Sequence, residues 1–172
     1  MAIRPILTAP DPRLKAVSAR VETVDAATRK LIDDMVDSMY EADGIGLAAV
    51  QIGLPLRIIV MDLDQKDGKK KPRAFINPVI NWASEELATF EEGCLSVPEI
   101  WEDVERAARI KAEYLDRDGR KQLLEADGLL ATCLQHEMDH LEGVLFIDHL
   151  SKLKRSMALR KLQKAKRLKD AG

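Results

Sequence analysis

The chain has 172 residues, 46% apolar and 33% charged with a net charge of −2, which fits one soluble domain able to hold a real core. Arg4, Pro5 and Pro10 break the apolar start, so no secretory leader is expected, and no run approaches the length of a membrane span. Two cysteines, Cys94 and Cys133, make a poor disulfide framework, so the expected setting is reducing and cytoplasmic.

In chain order, Asp25 is a helix N-cap followed by an apolar stripe at Ile32, Met35, Val36, Met39 and Tyr40, with Gly44 as the terminator. Residues 44–51 read as a small-residue loop, and residues 56–63 as a buried strand. A polar turn over 65–72 leads to strands at 73–76 and 79–82, and further strands are predicted at 86–90 and 104–115. Asp118-Gly119 signals a hairpin into a strand at 121–124. Asp127 caps a second helix that should end at Gly143, and Ser151 opens a last helix with Leu153, Met157, Leu162 and Leu168 as its drifting apolar contacts. The expected fold is α+β: short, mainly antiparallel strands around a central metal-binding helix, with an N-terminal and a C-terminal helix. Residues 1–150 form the catalytic domain in this reading, and residues 151–172 a basic helical extension of it.

That extension carries nine Lys or Arg against Asp170, or +8, whereas the remainder carries 18 basic and 28 acidic residues. A basic tail on an acidic body suits a polyanionic partner; it also suits a solvated helix that keeps the chain soluble.

The chemistry is concentrated in His136-Glu137-Met138-Asp139-His140. Residues four apart on a helix share a face, so His136 and His140 can grip one divalent ion, and Glu137 between them can take a proton from water. The same spacing also occurs on solvated surface helices. Against that, the chain has only three histidines, and Leu129, Leu130, Cys133 and Leu134 give this helix an apolar face.

A catalytic site of this kind usually has a third protein ligand. Beyond His140 the only glutamate is Glu142, too close on the same helix. In the H-E-x-x-H-x-x-G-x-x-H pattern the third histidine is replaced by Phe146, and His149 lies three residues out of register, as expected of a surface histidine. Cys94, after Gly93 and before Pro98, remains as either a small buried apolar residue or a thiolate ligand.

Three segments, taken in order, resemble the peptide deformylase family. Gly44-Ile45-Gly46-Leu47-Ala48-Ala49-Val50-Gln51 is similar to its G-x-G-x-A-A-x-Q motif, Glu92-Gly93-Cys94-Leu95-Ser96 to its E-G-C-L-S, and Gln135-His136-Glu137-Met138-Asp139-His140 to its Q-H-E-x-D-H. The resemblance implies removal of the formyl group from N-formylmethionine at the start of new polypeptides. It implies Cys94, His136 and His140 as metal ligands, Glu137 as proton carrier, and the Gln51 amide and Leu95 backbone N–H as donors to the oxyanion. Gly46 and Gly93 would allow close approach beside the metal. Cys133, one turn before His136, is a candidate for the wall of a methionine slot, with Ile45 and Leu129 as further candidates, although each is also a good core residue. Glu92 and Arg106 would brace the cysteine loop.

The ligand types do not choose between ferrous iron, zinc, nickel and cobalt; the resemblance implies Fe(2+). Some members carry an arginine where this chain has Trp101. Some use a basic C-terminal helix on the ribosome near the exit tunnel, which residues 152–169 would suit. No membrane or DNA role is implied. A zincin-type endopeptidase using His149, or a silent binding module, are the competing readings.

Overall fold

The computed structural model describes residues 2–171; Met1, in the leader reading, and Gly172, the last residue of the basic extension, lie outside the described residues. A short 3-10 turn, Pro12–Lys15, precedes helix α1, Ala26–Glu41. Strands β1 (Gly46–Ala48) and β2 (Ile58–Met61) follow, then β3 (Arg73–Ala83), β4 (Leu87–Cys94), β5 (Val97–Ala107), β6 (Arg109–Leu115) and β7 (Lys121–Asp127). Helix α2, Gly128–Leu141, leads through a 3-10 turn at Phe146–His149 to helix α3, Lys152–Ala171.

Five strands form one antiparallel sheet in the order β1-β2-β3-β6-β7, and β4 and β5 form a separate hairpin. Strand β2 explains the arrangement. Its four residues are all buried, because Ile59 and Met61 pack into the core containing Leu134 and Leu141 of α2. Ile58 and Val60 pack into the core containing Ile32, Met35 and Met39 of α1. A strand covered on both faces reads as a continuous apolar run. A third core lies under the hairpin, where Val97, Ile100 and Val104 meet Phe146, Ile147, Ala158 and Leu162.

Helix α1 starts as expected, with Asp25 Oδ1 accepting the Thr28 N–H at 2.9 Å. Its end differs: Asp43, not Gly44, takes the left-handed conformation at φ 57°. Gly44 is small for another reason, since a Cβ there would stand 2.6 Å from Leu95 Cδ1. The expected loop at 44–51 contains β1 and a 3-10 turn, Ala49–Ile52. The expected strands 73–76 and 79–82 are one strand, with a register slip between Ile76 and Val79. There Asn77 adopts φ 51° and its side chain bonds both backbone groups of Val21, at 2.9 and 2.8 Å. The expected strand 104–115 is two strands in different sheets, separated at Ala108.

Helix α3 also departs from expectation. Ala158 and Leu162 are its buried residues, whereas Leu153, Met157 and Leu168 are exposed. The second helix ends near Gly143 as expected; its φ is 75°, and a Cβ would fall 2.4 Å from the Lys15 carbonyl oxygen.

Candidate metal centre

The β4–β5 hairpin brings Cys94, at the end of β4, against the face of α2 that carries His136 and His140. The three ligand atoms lie within 4.8 Å of one another, and Cys94 Sγ is 3.3 Å from His140 Nε2. Sulfur and imidazole nitrogens about 2.0–2.3 Å from one tetrahedral ion would be roughly 3.3–3.6 Å apart, so this donor set fits a single divalent cation. His140 is fully buried, and Phe146 stacks against the His136 ring at 6.0 Å between centroids.

The electrostatics favour a cation as well. Burial lowers the proton affinity of His136, but Cys94 and the Glu92 carboxylate outweigh it and lift the pKa to about 10. Positive charge is therefore stabilised on the imidazole face turned toward the sulfur. His140 is pushed well below its usual range, first by burial and then by charge on His136, which leaves a neutral imidazole lone pair.

Behind the ligands lies a buried ion network. His136 Nδ1 is 2.8 Å from Glu92 Oε1. Arg106 grips Glu92 with two bonds of 2.7 and 2.9 Å, and reaches Asp139 Oδ2 with a third of 2.8 Å. His149 Nε2 faces that same Asp139 oxygen at 2.8 Å, so His149 is not among the converging ligands.

Glu137 is buried, and its Oε2 finds no partner among the described residues. Burial raises its pKa to about 7, so it can accept or release a proton near neutrality. Its Oε1 lies where a Cβ on Gly46 would come within 2.8 Å. Gln51 is held at both ends: Oε1 accepts the Ala48 N–H at 2.9 Å, and Nε2 donates to Ser96 Oγ at 2.9 Å while lying 3.6 Å from Cys94 Sγ.

A cleft of about 430 Å³ opens in front of Glu137 and His136. Ile45, Gly46, Gly93, Leu95, Leu129 and Cys133 all line it. Burial pushes the Cys133 thiol up to about 12, so it presents a neutral apolar surface. Trp101 lines the cleft too, and its ring lies so close over Gly93 that a Cβ there would be 2.2 Å away. Gln51 and His140 are not part of this lining, although Gln51 reaches its edge at Cys94.

Sequence reasoning missed Ser96 as the Gln51 partner and Asp139 as the link between Arg106 and His149. Ser96 stands in the Glu92–Ser96 motif and Asp139 in the Gln135–His140 motif, so the signal was present, but spacing along one chain does not show which side chains meet across elements.

Such a donor set, with a buried carboxylate beside it and an apolar cleft in front, defines a metal-dependent hydrolase. The chain matches the polypeptide deformylase family over residues 3–156 and belongs to that family, whose members hydrolyse the N-formyl group of nascent peptides. It is similar to the peptide deformylase of Rhizobium meliloti (strain 1021), 54% identical over 171 residues, 99% of this chain and 98% of the relative. It is also 59% identical over 164 residues to that of Phenylobacterium zucineum (strain HLK1), covering 95% of this chain and 97% of the relative. A crystal structure of a peptide deformylase from Legionella pneumophila superposes with a TM-score of 0.92 at 48% identity, over 99% of each chain. One from Ehrlichia chaffeensis, in complex with actinonin, gives 0.91 at 44% identity, over 97% of this chain and 99% of that one. Among the described residues no helix is long and apolar enough to cross a membrane.

Proposed function

We propose that Cys94, His136 and His140 hold a ferrous ion, and that Glu137, Gln51 and Leu95 carry out the hydrolysis of formylmethionyl peptides beside it. The observation that carries this reading is the convergence of the three ligand atoms within 4.8 Å, next to an unpartnered oxygen of Glu137. A divalent ion held there supplies Lewis acidity, which draws the pKa of water from about 15.7 toward neutrality and polarises the formyl oxygen.

Glu137 takes a proton from the attacking water as its oxygen bonds to the formyl carbon. The negative charge that develops on the formyl oxygen is met by the Gln51 amide and the Leu95 backbone N–H. The Gln51 hydrogen that now faces the weak acceptor Cys94 Sγ is the one available for this. Losing one such donor typically costs about 2.7–4 kcal/mol of barrier. As the C–N bond breaks, Glu137 hands its proton to the departing amine nitrogen, and formate leaves. Ile45, Leu129 and Cys133 wall the slot for the methionine side chain, while Gly46 and Gly93 keep the backbone close to the reacting group.

Zinc, nickel or cobalt would occupy the same donors in purified protein; with ferrous iron bound, handling in air should leave the enzyme weakly active or metal-exchanged. Residues 1–150 are the catalytic unit. The basic residues 152–169 dock on phosphate-rich ribosomal surface near the exit tunnel, in the cytoplasm, with salt-sensitive affinity. Support for this comes from the charge of +8 on residues 151–172. Deleting residues 151–172 should abolish co-sedimentation with ribosomes.

The central test is formate release from formyl-Met-Ala-Ser. Wild-type protein prepared without air should turn over, whereas Glu137→Ala and Cys94→Ser should not. Cleavage of internal peptide bonds without formate would support the zincin-type endopeptidase instead.

A further inference from the structure

Strand β1 pairs with β2 up to Gly46 and Met61. The chain just before β1 walls the cleft at Asp43, Gly44 and Ile45, and it stays fastened to the segment just after β2. The Asp62 N–H donates to the Ile45 carbonyl at 2.9 Å. One residue earlier, a side chain makes the fastening. Gln65 Nε2 lies 3.1 Å from the Gly44 carbonyl oxygen and 3.0 Å from the Asp62 carbonyl oxygen. An amide nitrogen carries two hydrogens, so both bonds form at once.

Gln65 is presented by a fixed frame. Asp62 is buried, and its carboxylate accepts from the Tyr40 hydroxyl on α1, from the Asp64 N–H at 3.1 Å and from the Lys71 N–H at 2.9 Å. Burial works to raise the pKa of Asp62, but these bonds outweigh it and hold the carboxyl below its ordinary range. The two ends of the 62–71 loop are thereby closed on one charged group and tied to α1.

Gly44 matters for what rests on it. A Cβ there would stand 2.6 Å from Leu95 Cδ1 and 3.3 Å from Leu95 Cγ, so the Leu95 side chain lies directly on this backbone. Leu95 also packs against the core that contains Met39 and Leu47. Its own N–H, one residue after Cys94, is the backbone donor to the oxyanion in the reading above.

We propose that Gln65 is a positioning residue for the hydrolysis: by holding the Gly44 carbonyl it keeps the seat under Leu95, and so keeps the Leu95 N–H aimed at the developing oxyanion. The inference rests on the deformylase reading given above. A donor that meets charge formed only in the transition state affects kcat and kcat/KM equally and leaves KM alone. The methionine slot is spared, because Ile45 has its own bond from the Asp62 N–H.

The test uses Gln65→Met, which keeps the length of the side chain and removes both donors. Gln65 is exposed, so the fold should survive the change. With the same metal loaded, kcat for formate release should fall about tenfold, less than the 10²–10³-fold of a donor lost outright. KM should stay within about twofold, and formyl-Met-Ala-Ser and formyl-Ala-Ala-Ser should lose the same factor. Once Leu95→Ala has removed the side chain that rests on Gly44, adding Gln65→Met should cost less than about twofold more. In zinc-loaded protein labelled with [15N]leucine, Gln65→Met should move the Leu95 amide signal and leave that of Leu162 in place. An unchanged kcat, a rise in KM alone, a loss confined to the methionine peptide, a full loss in the Leu95→Ala background or an unmoved Leu95 signal each overturn the inference and leave the deformylase reading intact. Should Gln65→Met not fold, Gln65→Asn, whose shorter amide cannot span both carbonyls, is read by the same outcomes. Absence of formate from every peptide with wild-type protein overturns the deformylase reading itself and this inference with it.

Discussion

Nδ1 of His136 lies 2.8 Å from Oε1 of Glu92, and this contact decides which ring nitrogen is turned toward Cys94. A carboxylate bound to one nitrogen fixes the ring's orientation and makes the other nitrogen a better donor. Glu92 is itself fixed by the two bonds from Arg106. Glu92→Gln should therefore weaken metal binding by about 10–100-fold without removing any ligand. Competition with a chromophoric chelator measures this directly. An unchanged metal affinity would mean that the carboxylate serves only the ion network with Arg106.

Glu137 makes the stability of the metal-free protein fall as the pH rises. Burial raises its pKa from the ordinary 4.5 to about 7, so in metal-free protein the folded state holds this proton more tightly than the unfolded chain does. Stability from this group then falls as the pH rises from 4.5 to about 7 and stays low above that. Each tenfold in proton affinity is worth about 1.4 kcal/mol, so Glu137→Gln should stabilise the metal-free protein by about 3 kcal/mol at pH 8 and by far less at pH 5. Urea unfolding in chelator, for both proteins at both pH values, reads the difference. Bound metal should shrink it, since a nearby cation favours the charged carboxylate. The same substitution should lower kcat by about 10²–10⁴-fold.

The histidine pair was legible because both residues lie on one helix, where spacing alone determines the face. Cys94 was not legible in that way; its place depends on the β4–β5 hairpin docking on α2, so residue type left it between buried apolar residue and ligand until the family's motifs favoured the second. The hairpin itself was half hidden. Strand β5 buries Val97, Ile100, Val104 and Arg106, and the left-handed Glu99 at φ 64° breaks the alternation between the first two. By residue type alone Arg106 would be placed outward, although it is in phase with Ile100 and Val104, 7% exposed and paired inside. The irregular residue shifts the phase at Glu99, and a buried charge with partners mimics a surface one at Arg106.

Gly93 and Trp101 should show strong coupling. A Cβ on residue 93 would lie 2.2 Å from the indole, and the ring must swing away to admit it. Gly93→Ala alone should cost about 1–3 kcal/mol of stability and lower kcat/KM, because the next residue is Cys94. Trp101→Ala alone should cost little, since the side chain is 64% exposed. The double variant should recover at least about 0.5 kcal/mol relative to the sum. Additive losses in urea unfolding would show that the ring yields freely and does not form a fixed wall.

Helix α3 offers a comparison between two leucines six residues apart. Leu162 is 4% exposed and packs with Val97, Phe146 and Ala158, whereas Leu168 is 67% exposed. The apolar pattern in the sequence treats them alike, because nothing in the spacing says where the helix leaves the body of the protein. Leu162→Ala removes a side chain from a filled core and should cost about 2–5 kcal/mol. Leu168→Ala exposes no new surface and should stay within about 0.5 kcal/mol of wild type. Thermal or urea unfolding distinguishes them. Equal and large losses would mean that the far end of α3 packs against the body as the apolar spacing suggests, and equal and small losses would mean that the whole helix is dispensable to the core under the hairpin.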